Sequence, residues 1–138
     1  MFLLPINVWA VLVSALASMA LGFLWYSPAL FGKQWMKLSK IDPKKMKEAN
    51  KHMTKMYSIS FISTLIGAYI LAQLIDLTLT SSVMEGATLG AMVWLGFVAV
   101  TLVNTVVFES KPWTLFLINS GYQLVCLVVS GIILAVWI

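Results

Sequence analysis

The chain has 138 residues, 61% of them hydrophobic and 10% charged, with a net charge of +4. Soluble chains carry about 25% charged residues, so a water-facing globular surface is excluded and residues 1–138 read as a single integral membrane domain. The basic excess is nine lysines with no arginine, which argues against nucleic acid, whose phosphates and guanines the arginine fork reads.

Four apolar stretches predict an all-α four-transmembrane-helix bundle, with helices over 2–25, 57–77, 84–108 and 113–138. Each is long enough for a hydrocarbon core that takes about 20 helical residues. In the first stretch Ala15-Leu16-Ala17 looks like a cleavage site, but no basic segment precedes it, so a retained helix is expected. Ser27-Pro28 ends that helix and predicts a cap for a short helix over Ala29–Leu38. Trp25, Tyr26, Ser27, Pro28 and Trp35, with Phe31, form an interfacial motif suited to an aromatic belt.

The segment 26–56 continues with Asp42-Pro43, a second cap-and-proline start. Beyond it Met46, Ala49, Met53 and Met56 repeat at helical spacing, with Lys44, Lys47, Lys51 and Lys55 on another face. That predicts an amphipathic cytoplasmic or interfacial helix whose lysines contact lipid or a partner. His52 in the same helix reads as a solvated side chain. Further on, Ser110 and Pro112 predict a third capped start and a tight hairpin, with Glu109 and Lys111 at the interface.

Lysine placement orients the bundle. Eight lysines, Lys33 to Lys55, lie between the first and second stretches, and Lys111 lies between the third and fourth. Two crossings separate these connections, so they share a side, and lysine-rich loops are cytoplasmic. Both termini are then outside, the host membrane is expected to be a bacterial inner (plasma) membrane, and the lysines meet anionic lipid of the cytoplasmic leaflet.

Small residues mark where helices can approach closely. Ala10, Ser14, Ser18 and Gly22 form one row, Ser60, Ser63, Thr64, Gly67 and Ala68 a second, and Gly86 with Gly90 a third. The partner of each row is either this chain or another copy, and a homo-oligomer is expected. Polar groups gather near the lysine side of the last two stretches: Thr101 and Asn104, then Asn119, Tyr122 and Gln123, followed by Cys126 and Ser130. Counted from Ser110, Asn104 lies about 9 Å deep and Asn119 about 13 Å deep at 1.5 Å per residue. They are predicted to face each other across a seam, either as structural glue or as the wall of a polar cavity.

Several segments together resemble one family. These are Trp25-Tyr26-Ser27-Pro28 with Phe31-Gly32-Lys33 and Trp35, Trp94-Leu95-Gly96-Phe97, and Phe108-Glu109 with Lys111-Pro112 and Leu115-Phe116. Asn119, Gly121-Tyr122, Gly131 and Trp137 complete a pattern that is similar to the DUF1761 membrane proteins. The resemblance implies a small polytopic membrane protein of bacterial or fungal type, and no substrate, cofactor or catalytic residue.

The chain has no HExxH, no GxSxG and no histidine pair, so no enzyme, cofactor or metal site is expected. Asp76, Glu85 and Glu109 fall near helix ends, which disfavours proton-driven antiport through a buried carboxylate. The expected function is a small transporter or channel for a polar solute or ion through an oligomer. The alternative is a non-catalytic scaffold or partner-binding protein.

Overall fold

The structure, a computed structural model, describes residues 5–38, 44 and 51–137. Among the described residues, helices α1 (Val8–Trp25), α2 (Gly32–Leu38), α3 (Met53–Leu77), α4 (Val83–Val107) and α5 (Trp113–Val136) make up the fold. All but α2 are long and apolar enough to cross a membrane, as in a multi-pass integral membrane protein. We call the end that carries Lys33, Lys37, Lys51, Lys55 and Lys111 the lysine end, and the opposite one the far end.

Local chemistry sets the helix limits. α1 starts at Val8, later than the expected Phe2, because the Asn7 side chain accepts hydrogen bonds from the Trp9 and Ala10 amides at 3.0 and 3.4 Å. At the far end α3 closes with a Schellman turn: the Thr80 amide donates to the Ile75 carbonyl at 3.0 Å, with Leu79 left-handed at φ 56°. Ser82 then caps α4 by accepting from the Glu85 amide at 3.1 Å, and Glu85 accepts from the Ser81 amide at 3.4 Å.

Two expected caps take other roles. The Ser27 hydroxyl donates back to the Leu24 carbonyl at 2.7 Å, so it finishes α1 and does not start α2. A reversing turn follows, in which the Phe31 amide donates to the Trp25 carbonyl at 3.1 Å, and α2 begins only at Gly32. A Cβ at Gly32 would meet the Ser27 carbonyl carbon at 2.7 Å, so this turn requires glycine. Ser110 is likewise no cap: it is left-handed at φ 56°, and extended Pro112 precedes α5.

α3 begins at Met53, ahead of the expected Tyr57, and carries Lys55 on its first turn. Lys44, Lys51 and Lys55 are exposed. Asp42, Pro43, Met46, Lys47 and Ala49 of the expected amphipathic helix lie outside the described residues.

Lipid offers apolar side chains what a neighbouring helix would, so packing here depends on how closely backbones approach. The Gly86–Gly90 row meets α5 of the same chain, where the Gly86 and Gly131 backbones touch. At the far end Ala10 and Val11 of α1, Ala68, Leu71, Ala72 and Ile75 of α3, and Leu134 and Ala135 of α5 form the buried core. At the lysine end rings stand between α1 and α3, with Phe23 edge-on to Tyr57 at 5.3 Å. α3 is buried only toward the far end, at Ala68, Leu71, Ala72, Gln73 and Ile75, while Met53–Ser60 are exposed. Its packing on α1 and α5 therefore loosens, and the helix diverges, toward the lysine end.

Candidate polar groove

The divergence of α3 leaves a groove of about 330 Å³ along its inner face, bounded by α1 and α5. α3 contributes Ser60, Ser63, Thr64 and Gly67, and α1 contributes Ser18. α5 supplies Tyr122, Gln123, Cys126 and Ser130. Toward the lysine end a second space of about 350 Å³ shares Ser60 and Tyr122 with the first and adds Phe23, Tyr26 and Tyr57. The two spaces adjoin at Ser60 and Tyr122; the first mixes hydroxyls with Ala68, Leu71 and Leu127, and the second, its mouth, is aromatic.

Its back wall is tied by hydrogen bonds between α1 and α5. The Ser18 and Ser130 hydroxyls lie 3.3 Å apart, and the Tyr122 hydroxyl donates to the Ser18 carbonyl at 3.0 Å. Gly22 makes room for that tyrosine, since a Cβ there would lie 2.8 Å from its hydroxyl oxygen. α3 adds little to this network, and Ser60 reaches only the Met19 sulfur at 4.0 Å. The Thr64 hydroxyl donates to the Ser60 carbonyl of its own helix at 2.8 Å, and the exposed Ser63 faces the open groove.

A further cavity of about 360 Å³ occupies the far end of the same helix interface, lined by Asn7, Ala10, Ala72, Asp76, Leu134 and their neighbours. Leu71 lines the groove and the adjacent Ala72 lines this vestibule. The two spaces thus lie in series along α1, α3 and α5, with the buried core as the seal between them.

The seam expected between α4 and α5 does not form. The Asn119 carbonyl oxygen accepts from the Tyr26 hydroxyl of the α1 terminus at 2.8 Å, and not from Asn104. Thr101 is exposed and donates to the Phe97 carbonyl of its own helix at 2.7 Å, and Asn104 is exposed as well. The cause is a π-helical segment, Trp94–Ala99, within α4. A π-turn holds one residue more than an α-turn, so later side chains are rotated back by roughly 100° about the axis. Val100–Val107 consequently has no buried residue. The indole N–H of Trp94 donates to the Ser120 carbonyl at 2.7 Å, which ties this segment to α5.

Of the expected seam residues, Tyr122 and Gln123 line the groove, Asn119 supports its mouth, and Thr101 and Asn104 lie elsewhere. Ser18, Ser60, Ser63 and Thr64 stand in rows that the sequence marks for packing. Spacing cannot separate a packed hydroxyl from a lining one; the divergence of α3 does.

The family model described as "Protein of unknown function (DUF1761)" matches residues 9–135. The chain belongs to the DUF1761 family. Searches of curated proteins and of solved structures give no match.

In this DUF1761 protein the likeness segments around Trp25, Tyr26, Phe31, Trp35 and Asn119–Tyr122 meet toward the lysine end, while Gly131 and Trp137 lie toward the far end. The Trp25 indole donates to the Ile118 carbonyl at 3.0 Å, and its ring lies 4.9 Å from Phe31. The Tyr26 ring sits edge-on to Trp35 and to Tyr122, each at 5.4 Å. Burial, with the Cys126 thiol as the lesser cause, pushes the Tyr26 phenol up to about 12, and its hydroxyl donates to the Asn119 side-chain oxygen. Trp25, Tyr26 and Trp35 thus brace the groove mouth. Ser27 and Pro28 shape the turn behind them, while Glu109, Lys111 and Pro112 are exposed on the α4–α5 hairpin.

Proposed function

We propose that this protein provides a membrane pathway for a small polar solute, along the α1–α3–α5 interface of each protomer. One observation supports the reading: a hydroxyl-lined groove and a second cavity lie in series on that interface. Hydroxyls left facing hydrocarbon lose their hydrogen bonds, so non-packed polar surface at membrane depth implies water or solute. The lysine end is cytoplasmic in this reading and both termini are outside, in a bacterial inner membrane. Lys44, Lys51 and Lys55 then lie near anionic lipid, at about 1 kcal/mol for each lysine close to the surface.

Cysteine accessibility tests whether the groove is wet. In a Cys126→Ala background, which removes the sole cysteine, Ser63→Cys should react with a membrane-impermeant thiol reagent. Ile62→Cys, 56% exposed and turned toward lipid, should not. Equal protection of both positions would mean that lipid or a second helix fills the groove, and the pathway reading would fail.

A second reading concerns assembly, which the exposed Asn104 favours. Its amide is one turn inside α4 and has no hydrogen-bond partner among the described residues. An amide both donates and accepts, so two copies related by a two-fold axis satisfy each other there. We propose a homodimer through the lysine-end half of α4. Asn104→Cys in the same background should form a disulfide dimer under mild oxidant, while Leu117→Cys on α5, 64% exposed, should not. Indifferent cross-linking at both positions would reject that interface.

A further inference from the structure

The seal between groove and vestibule is built from apolar and small side chains, with Val11 and Ala15 of α1, Leu71 of α3 and Leu134 of α5 all buried. Two polar side chains are buried in this part of α1 and α3: Gln73, which is partnered, and Ser14. Ser14 is 0% exposed, and its Oγ has no hydrogen-bond partner among the described residues. Ala10, Ser14 and Ser18 recur every four residues and so share one face of α1. Ala10 lines the vestibule and Ser18 lines the groove. Ser14 therefore stands about 6 Å from each along the helix axis, inside the seal.

A buried hydroxyl without a partner is costly, and alanine would occupy the same place in the helix without that cost. Helical hydroxyls commonly escape it by bonding to their own backbone. Ser58, Thr64, Thr88 and Thr101 all do so, at 2.7 to 2.8 Å. Ser14 does not, which leaves its hydroxyl available to whatever crosses the seal. We propose that Ser14 is the hydrogen-bonding rung of the seal, and that the pathway carries small uncharged solutes bearing hydroxyl groups.

The inference rests on the pathway reading and names its substrate class. An ion entering the seal would exchange its hydration shell for very few uncharged polar groups, at a prohibitive desolvation cost. A hydroxylic solute loses far less. It trades bonds to water for bonds to Ser14 and, one turn nearer the lysine end, to the Ser18–Ser130 pair. The groove polar groups in its path, Ser60, Ser63, Thr64 and Gln123, are uncharged. Asp76 is confined to the vestibule, beyond the seal.

The test uses the full-length protein in vesicles, with glycerol and potassium as probes. Wild-type vesicles should pass glycerol faster than protein-free vesicles and should not pass potassium. Ser14→Ala should slow glycerol about fivefold, the effect of one neutral hydrogen bond at the barrier. Its melting temperature in detergent should equal or exceed wild type, because the unpartnered hydroxyl is gone. Wild-type vesicles no faster than protein-free ones would remove the pathway and this inference together. Glycerol flux equal in wild type and Ser14→Ala would overturn the role of Ser14 and leave the pathway standing. A lowered melting temperature beside lowered flux would assign Ser14 to structure alone, and potassium passage at the glycerol rate would overturn the substrate class.

Discussion

Gly131→Ala should cost about 2 to 3 kcal/mol of stability, the upper part of the range for overpacking a close contact. The added methyl would sit against the backbone carbonyl of Gly86 and 3.6 Å from the Gly90 amide nitrogen. Neither neighbour is a flexible side chain that can swing aside. α4 and α5 must then move apart along their tightest contact, and the dispersion gained there is lost. Gly86→Ala should act alike, since its Cβ would meet the Gly131 carbonyl and lie 2.9 Å from the Ala135 methyl. The double variant should cost less than the sum, because one separation relieves both contacts. Gly96→Ala, where a Cβ meets nothing within 4 Å, supplies the control. Thermal unfolding in detergent measures all four, and a Gly131→Ala protein that melts with wild type would refute a backbone-on-backbone contact.

That contact also shows where sequence reasoning succeeds. Gly86 and Gly90 at four-residue spacing predict a close helix neighbour, and α5 of the same chain is that neighbour. The apolar stretches locate the four long helices, because length and hydropathy are local properties that lipid reads directly. Caps are less legible. Ser27 and Ser110 both stand before or near proline, yet each is used by the turn that ends the preceding helix. A hydroxyl beside a helix break can serve either side, and tertiary placement decides which.

The seam failed for a different reason. Depth counted from Ser110 sets Asn104 and Asn119 at similar levels but does not set which face of α4 carries Asn104. The π-segment at Trp94–Ala99 turns that face away from the side on which Gly86 and Gly90 meet α5. Nothing in Trp94-Leu95-Gly96-Phe97 demands a π-turn by propensity; the bond from Trp94 to the Ser120 carbonyl accompanies it and comes from another helix. The groove is hidden similarly. Ser60, Ser63 and Gly67 have the composition of a packed face, and what leaves them open is the exposure of α3 toward the lysine end, where the Phe23 and Tyr57 rings meet.

That open face yields the sharpest separation of passage from stability. Gly67→Leu should reduce glycerol permeability of vesicles to the protein-free level while leaving the bundle as stable as wild type or more so. Gly67 lines the groove, and a Cβ built there meets nothing within 4 Å. The Cβ of a leucine therefore enters without a clash, and the residue replaces a glycine that costs an exposed helix about 1 kcal/mol. Its side chain removes room opposite Ser18 and Ser130 and puts apolar surface where a hydroxylic solute needs bonds. Ile66→Phe adds comparable bulk one residue away, at a position 60% exposed toward lipid, and should pass glycerol as wild type does. If both variants conduct equally, the solute does not run between α1, α3 and α5. If Gly67→Leu alone is blocked and melts no lower than wild type, occupancy of the groove controls passage.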